Sequence, residues 1–247
     1  MAIVIFVYIA VILGAEALGI LLSPLTGLVA QAGILIALLV HYSLASEDAP
    51  YRRALLALAL APLLRVLSLT MPIPQPPVAY WFALVGAPLL AAAALVARQL
   101  RLSPAELGLR IGAWRPQALL AMSGIPLGLV AFFILRPSPF VASGNWFEWL
   151  VAAISLLVFV GFGEELIFRG IVQRVIAAHG ATLGLVAGAV LFAVLYLGSL
   201  SLAYVLFMGL VGLFFGWAVN RTGSLAGVAL AHGLMSIVAL LVMPGLV

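Results

Sequence analysis

Apolar residues run along this chain in blocks of roughly 20, the length that lets a helix cross a bilayer hydrocarbon core. Short polar or proline-bearing breaks separate the blocks, and the pattern predicts nine spans, at 3–22, 26–44, 54–71, 79–97, 117–135, 148–172, 183–198, 202–219 and 225–243. The breaks have physical causes. Ser23-Pro24 interrupts the first long run, Pro72, Pro74, Pro76 and Pro77 predict a rigid connection, and Arg136-Pro137 with Ser138-Pro139 ends the fifth span. The tightest connections are 23–25, read as a turn or a re-entrant tip, and 199–201, read as a turn or a kink. The expected fold class is all-α, a polytopic transmembrane helix bundle.

Composition agrees with the pattern. Hydrophobic residues make up 66% of the 247 positions and charged residues 7%, against about 25% charged in a soluble domain. Such a chain has too few charges to cover a water-facing surface. There is no cysteine, which excludes disulfides and thiolate metal sites. The balance is basic, but no basic run is long enough to bind nucleic acid.

All eleven basic residues are arginines, and their places test the span count. With the N-terminus inside, Arg52, Arg53, Arg98, Arg101, Arg110, Arg115, Arg174 and Arg221 fall in inside loops. Only Arg136 falls outside, and Arg65 and Arg169 lie within spans. This asymmetry predicts a multi-pass protein of the cell membrane, N-terminus cytoplasmic and C-terminus outside. The first segment lacks the basic region and small-residue cleavage site of a secretory signal, so it is expected to be retained as a helix. Ser103-Pro104-Ala105-Glu106 has the order of a helix start, which predicts either a short interfacial helix or a solvated turn. It divides the chain into N-terminal transmembrane helices with an interfacial segment (1–116) and a transmembrane core (117–247).

Charge within a span costs about 2.5–3.5 kcal/mol per residue on insertion scales. Each intramembrane charge therefore needs a reason. Glu16 and Arg65 are expected to pair across helices. The densest cluster is Gly161-Phe162-Gly163-Glu164-Glu165-Leu166-Ile167-Phe168-Arg169-Gly170. Glu165 and Arg169 stand at i and i+4 and predict a pair on one face. Glu164 points about 100° away and addresses a different neighbour. A structural ion pair is the bland reading, but two adjacent glutamates exceed what one arginine neutralises. A carboxylate left over can act as a general base on water. In the ninth span His232 and Ser236 share a face, where a histidine is ordinarily an interhelical hydrogen bonder. In the seventh, Tyr196 reads most simply as an interfacial anchor.

Taken in order, Glu164-Glu165…Arg169, Phe192…Tyr196 and His232…Ser236 resemble the motifs of the CPBP family, the CAAX-protease and bacteriocin-processing (Abi) intramembrane peptidases. Gly216-Trp217 and Arg221-Thr222-Gly223-Ser224 resemble that family's run into its last motif. The resemblance covers about the last hundred residues. It implies Glu164 as the base that activates water, Glu165 and Arg169 as its supporting pair, and His232 as a site histidine. Ser236 stands where the family has an oxyanion-holding asparagine, and Tyr196 stands where it has its first histidine. Zinc is possible in the family, but catalytic zinc normally takes three protein ligands. A neutral tyrosine is a poor one, so no cofactor and no metal site are expected.

Two readings follow. One is an intramembrane endopeptidase that cuts a membrane-proximal peptide, a leader or a lipidated tail. The other is a catalytically silent homologue that binds a partner subunit in a membrane complex. A small-solute transporter is disfavoured, because the two halves show no paired broken helices. Depth is read from helical rise: Glu164 lies eight residues, about 12 Å, from the inner end of its predicted span.

Overall fold

The computed structural model describes residues 2–71, 78–139, 141 and 146–246. The four prolines between 72 and 77 and their expected rigid connection lie outside the described residues. Among the described residues nine helices are long and apolar enough to cross a membrane, and no strand is present. We number them α1 (Ile3–Leu21), α2 (Pro24–Leu44), α3 (Arg52–Thr70), α4 (Tyr80–Gln99), α5 (Trp114–Leu135), α6 (Trp146–Ala177), α7 (Ala181–Ser199), α8 (Leu202–Thr222) and α9 (Ala226–Gly245). Large apolar side chains cover the outside of the bundle. Ile36, Leu119 and Leu206 are each more than 60% exposed, which suits a protein whose solvent is lipid.

The two tight connections are true turns. Ser23 is extended, its hydroxyl accepts from the Thr26 backbone N–H at 3.1 Å, and Pro24 starts the next helix. α1 and α2 flanking this turn are both long enough to span, so it is no re-entrant tip. At the other break, residues 195–199 tighten into a 3₁₀ turn and Leu200 takes a left-handed conformation (φ 56°). Ser201 then caps α8 through the Tyr204 N–H. Leucine rarely adopts this backbone, and here it separates two helices rather than kinking one.

The segment after α4 decides between the interfacial helix and the turn in favour of the turn. Ser103 and Glu106 do form a reciprocal cap, with the Ser103 N–H and hydroxyl both donating to Glu106 Oε2 at 2.8 and 2.7 Å. Those donors hold the Glu106 carboxyl below the usual carboxylate range. The structure is a single turn, however. Gly108 (φ 74°) stops it, and its carbonyl accepts from the Leu225 N–H at 2.9 Å. The turn thus ties the α4–α5 connection to the start of α9.

α6 and α9 are the centre of the bundle. α9 packs between α5 and α6, while α6 also touches α4 and α7. The close approach depends on glycine. A Cβ on Gly124 of α5 would clash with the Ala231 carbonyl, and one on Gly161 of α6 would come within 2.6 Å of the Ala229 carbonyl. Small residues let membrane helices meet backbone to backbone, and here they draw the middle of α9, with His232, into the core. Gln117 of α5 completes the seat. Its side-chain oxygen accepts from the Gly227 N–H at 2.7 Å, satisfying an orphan donor of the first turn of α9.

α6 differs most from expectation. It runs to Ala177, five residues past the predicted 172, and is wound as a π-helix over Leu156–Glu164 and Leu166–Gln173. Such winding is rare and is frequently found at functional sites. Glu164 therefore lies thirteen residues from the helix end rather than eight. The extra residues lie beyond the apolar run from which the depth of about 12 Å was read.

This packing predicts that Gly124→Ala lowers the thermal unfolding temperature in detergent, by about 1–3 kcal/mol of overpacking cost or more. Gly14→Ala on α1, where an added Cβ meets nothing within 4 Å, leaves it unchanged or raises it. Equal behaviour of the two variants would contradict the close α5–α9 contact.

Candidate active site

The π-wound stretch of α6 sends its two glutamates to different neighbours. Glu165 turns into the core and is fully buried, as are Arg169 and His232. One oxygen, Glu165 Oε1, accepts from Arg169 Nη1 at 2.9 Å and from His232 Nδ1 at 3.0 Å. Because that oxygen already serves a guanidinium, Nδ1 is the nitrogen that carries the proton. This fixes the imidazole orientation and leaves Nε2 as the atom aimed at Tyr196.

Arg169 is held on its other sides as well. Nη2 donates to the Gly212 carbonyl of α8 at 3.3 Å, and the guanidinium lies over the Phe192 ring at 4.1 Å. Phe192 is the hinge of the arrangement. Its face takes the cation, and it meets both Tyr196 and His232 edge-on, at centroid distances of 5.4 and 5.3 Å. The phenylalanine of the second motif is thus explained by its contacts.

Glu164 is only half-buried and faces a cavity of about 360 Å³. Tyr196, Tyr204, Ser236 and Arg65 share its wall, with Phe82 and Leu135 on the apolar side. The Tyr196 hydroxyl stands between the two halves of the site, 3.3 Å from Glu164 Oε2 and 3.4 Å from His232 Nε2. Both contacts are longer than an ordinary O–H hydrogen bond, which is common before substrate tightens a site. One hydroxyl proton can serve only one of these acceptors at a time. His232 itself does not reach the cavity; it lies behind Tyr196.

The structure thus brings together Glu164, Tyr196 and Ser236 on one cavity, with Glu165, Arg169 and His232 packed behind it. Tyr196 points at the site and is no interfacial anchor. Glu16 and Arg65 pair at 2.7 Å, and Arg65 Nη2 also donates to the Leu195 carbonyl at 2.8 Å, one residue before Tyr196. The neutral polar residues were missed by a search aimed at charge. Gln173, buried in α6, donates to the Gly216 carbonyl and to Asn220 of α8, and Tyr204 packs edge-on against Tyr196. A glutamine inside an apolar run was the available signal.

The donor set does not fit zinc. Among the described residues no three histidine, aspartate or glutamate side chains come together as a metal site. The one site histidine presents its free nitrogen to a tyrosine hydroxyl, and Glu165 Oε1 is already taken up by Arg169 and His232.

Removing one partner of a buried ion pair strands the other charge, at about 3–5 kcal/mol. Arg169→Met is therefore expected to lose that much stability in thermal or denaturant unfolding, and adding Glu165→Gln should recover part of it. A single variant within about 0.5 kcal/mol of wild type, the usual effect of an unimportant surface change, would contradict the cluster's role.

No curated protein and no solved structure matches the chain. Residues 146–238, which hold α6, α7, α8 and most of α9, match the family model described as type II CAAX prenyl endopeptidase Rce1-like. The part of the chain that builds the site is thus similar to a CAAX-protease family, in agreement with the resemblance read from its motifs.

Proposed function

We propose that the protein is an intramembrane endopeptidase in which Glu164 activates water against a membrane-proximal peptide bond. The observation that carries this reading is the division of labour between the glutamates. Glu165 is buried with its Oε1 held by Arg169 and His232, whereas Glu164 faces a cavity large enough for a peptide segment and has a hydroxyl donor beside it.

The steps balance with the chain's own groups. Water attacks the carbonyl carbon and gives its proton to the Glu164 carboxylate. The Tyr196 hydroxyl, released from Glu164, donates to the developing oxyanion, and Ser236 supplies a second donor from α9. Protonated Glu164 then passes its proton to the leaving amine as the C–N bond breaks. Donors of this kind are each worth about 10²–10³ in rate. Glu165, Arg169 and His232 do not touch the peptide. They hold Tyr196 through the His232 imidazole and the Phe192 ring.

A second reading rests on a specific observation: Tyr196 stands where the resemblance puts a histidine, and Ser236 where it puts an asparagine. On that reading the same cavity binds a peptide segment of a partner subunit without cutting it. Lipid bilayer and a peptide or membrane protein are the partners in both cases, and the multi-pass topology with a cytoplasmic N-terminus serves either.

Cleavage of membrane-anchored peptides by the purified, reconstituted protein separates them. Glu164→Gln is expected to slow turnover by about 10²–10⁴-fold, the contribution of a general base. Undiminished cleavage by that variant contradicts the role of Glu164. Absence of cleavage by wild type, with Glu164→Gln fully supporting assembly of a membrane complex, favours the silent subunit.

A further inference from the structure

A second cavity of about 400 Å³ lies beside the first, enclosed by α1, α2, α3 and the turn after Tyr196. Most of its wall is apolar, but Glu16, Ser23, Gln31 and Arg65 also line it, four polar side chains that a lipid-filled crevice would not gather. Gln31 is 1% exposed, and its Nε2 donates to Glu16 Oε1 at 2.7 Å and to the Ile12 carbonyl at 3.3 Å. Both partners are acceptors, so turning the amide round cannot improve the match. Gln31 Oε1 is left buried with no donor from the protein. Charged and amide groups gathered on a cavity are the setting in which water completes the hydrogen bonding, and the volume admits roughly a dozen molecules at about 30 Å³ each.

The two cavities share Arg65 and Gly198 in their walls. We propose that the α1–α2–α3 cavity is a water-filled vestibule that opens at the end of the bundle bearing Ser23 and Leu200 and meets the Glu164 cavity at Arg65 and Gly198. The hydration rests on the cavity alone. Its service, delivery of the attacking water, rests on the reaction proposed for Glu164. Arg65 is the divider: Nε is bound to Glu16 and Nη2 to the Leu195 carbonyl, so one side chain borders both spaces. Gly198 is the place to close the junction, because a Cβ there meets nothing within 4 Å and a larger side chain grows into the opening.

The chain has no cysteine, so single thiols can be read without background. Ser199→Cys probes the Glu164 cavity, and Ile36→Cys on the lipid face of α2 is the control. In the full chain, reconstituted in sealed vesicles, both are treated with a charged, membrane-impermeant methanethiosulfonate. Thiolate attack on a charged reagent needs water, so Ser199→Cys is expected to react about tenfold faster or more than Ile36→Cys. Reaction should come only from the side that bears Ser23. Gly198→Trp should slow it by about tenfold, and Gly198→Leu, a smaller plug, by an intermediate amount, which separates plugging from misfolding. Equal rates at residues 199 and 36, or rates untouched by both plugs, overturn the vestibule. Fast, pluggable labelling in a protein that cuts no peptide upholds the vestibule and overturns only its service to Glu164.

Discussion

The charge cluster of Glu165, Arg169 and His232 is the constraint around which the bundle is arranged. Three ionisable groups sit in its centre with no exposure to lipid or water, where an unpaired charge is very costly. The cluster survives because an ion pair made within one helix is supported by groups from three others. α6 supplies the ion pair, α9 the imidazole, α8 a backbone carbonyl and α7 the Phe192 face. Moving α7, α8 or α9 away would strip the buried ion pair of one of its supports. The interaction therefore specifies the relative placement of four helices, and that placement makes the cavity in front of them.

The same arrangement explains why two adjacent glutamates are needed. If Glu165 alone were present, its carboxylate would be consumed in holding Arg169 and His232. Glu164, on the neighbouring direction of a π-wound helix, is free to face the cavity. Close packing of α9 at Gly124 and Gly161 makes the reach possible, since His232 could not approach Glu165 across a full-sized side chain. Tyr196 changes the character of the site without emptying it. Its hydroxyl occupies the space between Glu164 and His232, so tyrosine separates the imidazole from the cavity.

Much of this was legible in the sequence, and the reasons differ by residue. Nine apolar blocks and their proline breaks carry the span count, because bilayer thickness imposes a length that few other constraints mimic. Glu165–Arg169 follows from helical spacing, and Glu16–Arg65 from the cost of unpaired charge. The π-winding of α6 was not legible, since it leaves no periodicity that a run of leucine, valine and phenylalanine can display. The single capped turn at Ser103 shows the reverse limit: the cap residues announce a helix start, but Gly108 ends it five residues later. Gln31, Gln117 and Gln173 were overlooked because neutral polar residues do not stand out where charge is the search criterion, yet each answers backbone or carboxylate groups that lipid cannot.

The adjacent glutamates differ in their surroundings, one paired in the core and one facing the cavity. Thermal unfolding of Glu164→Gln and Glu165→Gln, purified side by side in the same detergent, tests it without knowledge of any substrate. Glu164→Gln should unfold within about 0.5 kcal/mol of wild type, and Glu165→Gln should lose about 3–5 kcal/mol, because Arg169 is left without its counter-charge. Equal losses, or a greater loss at Glu164, would contradict the division on which the proposed site rests.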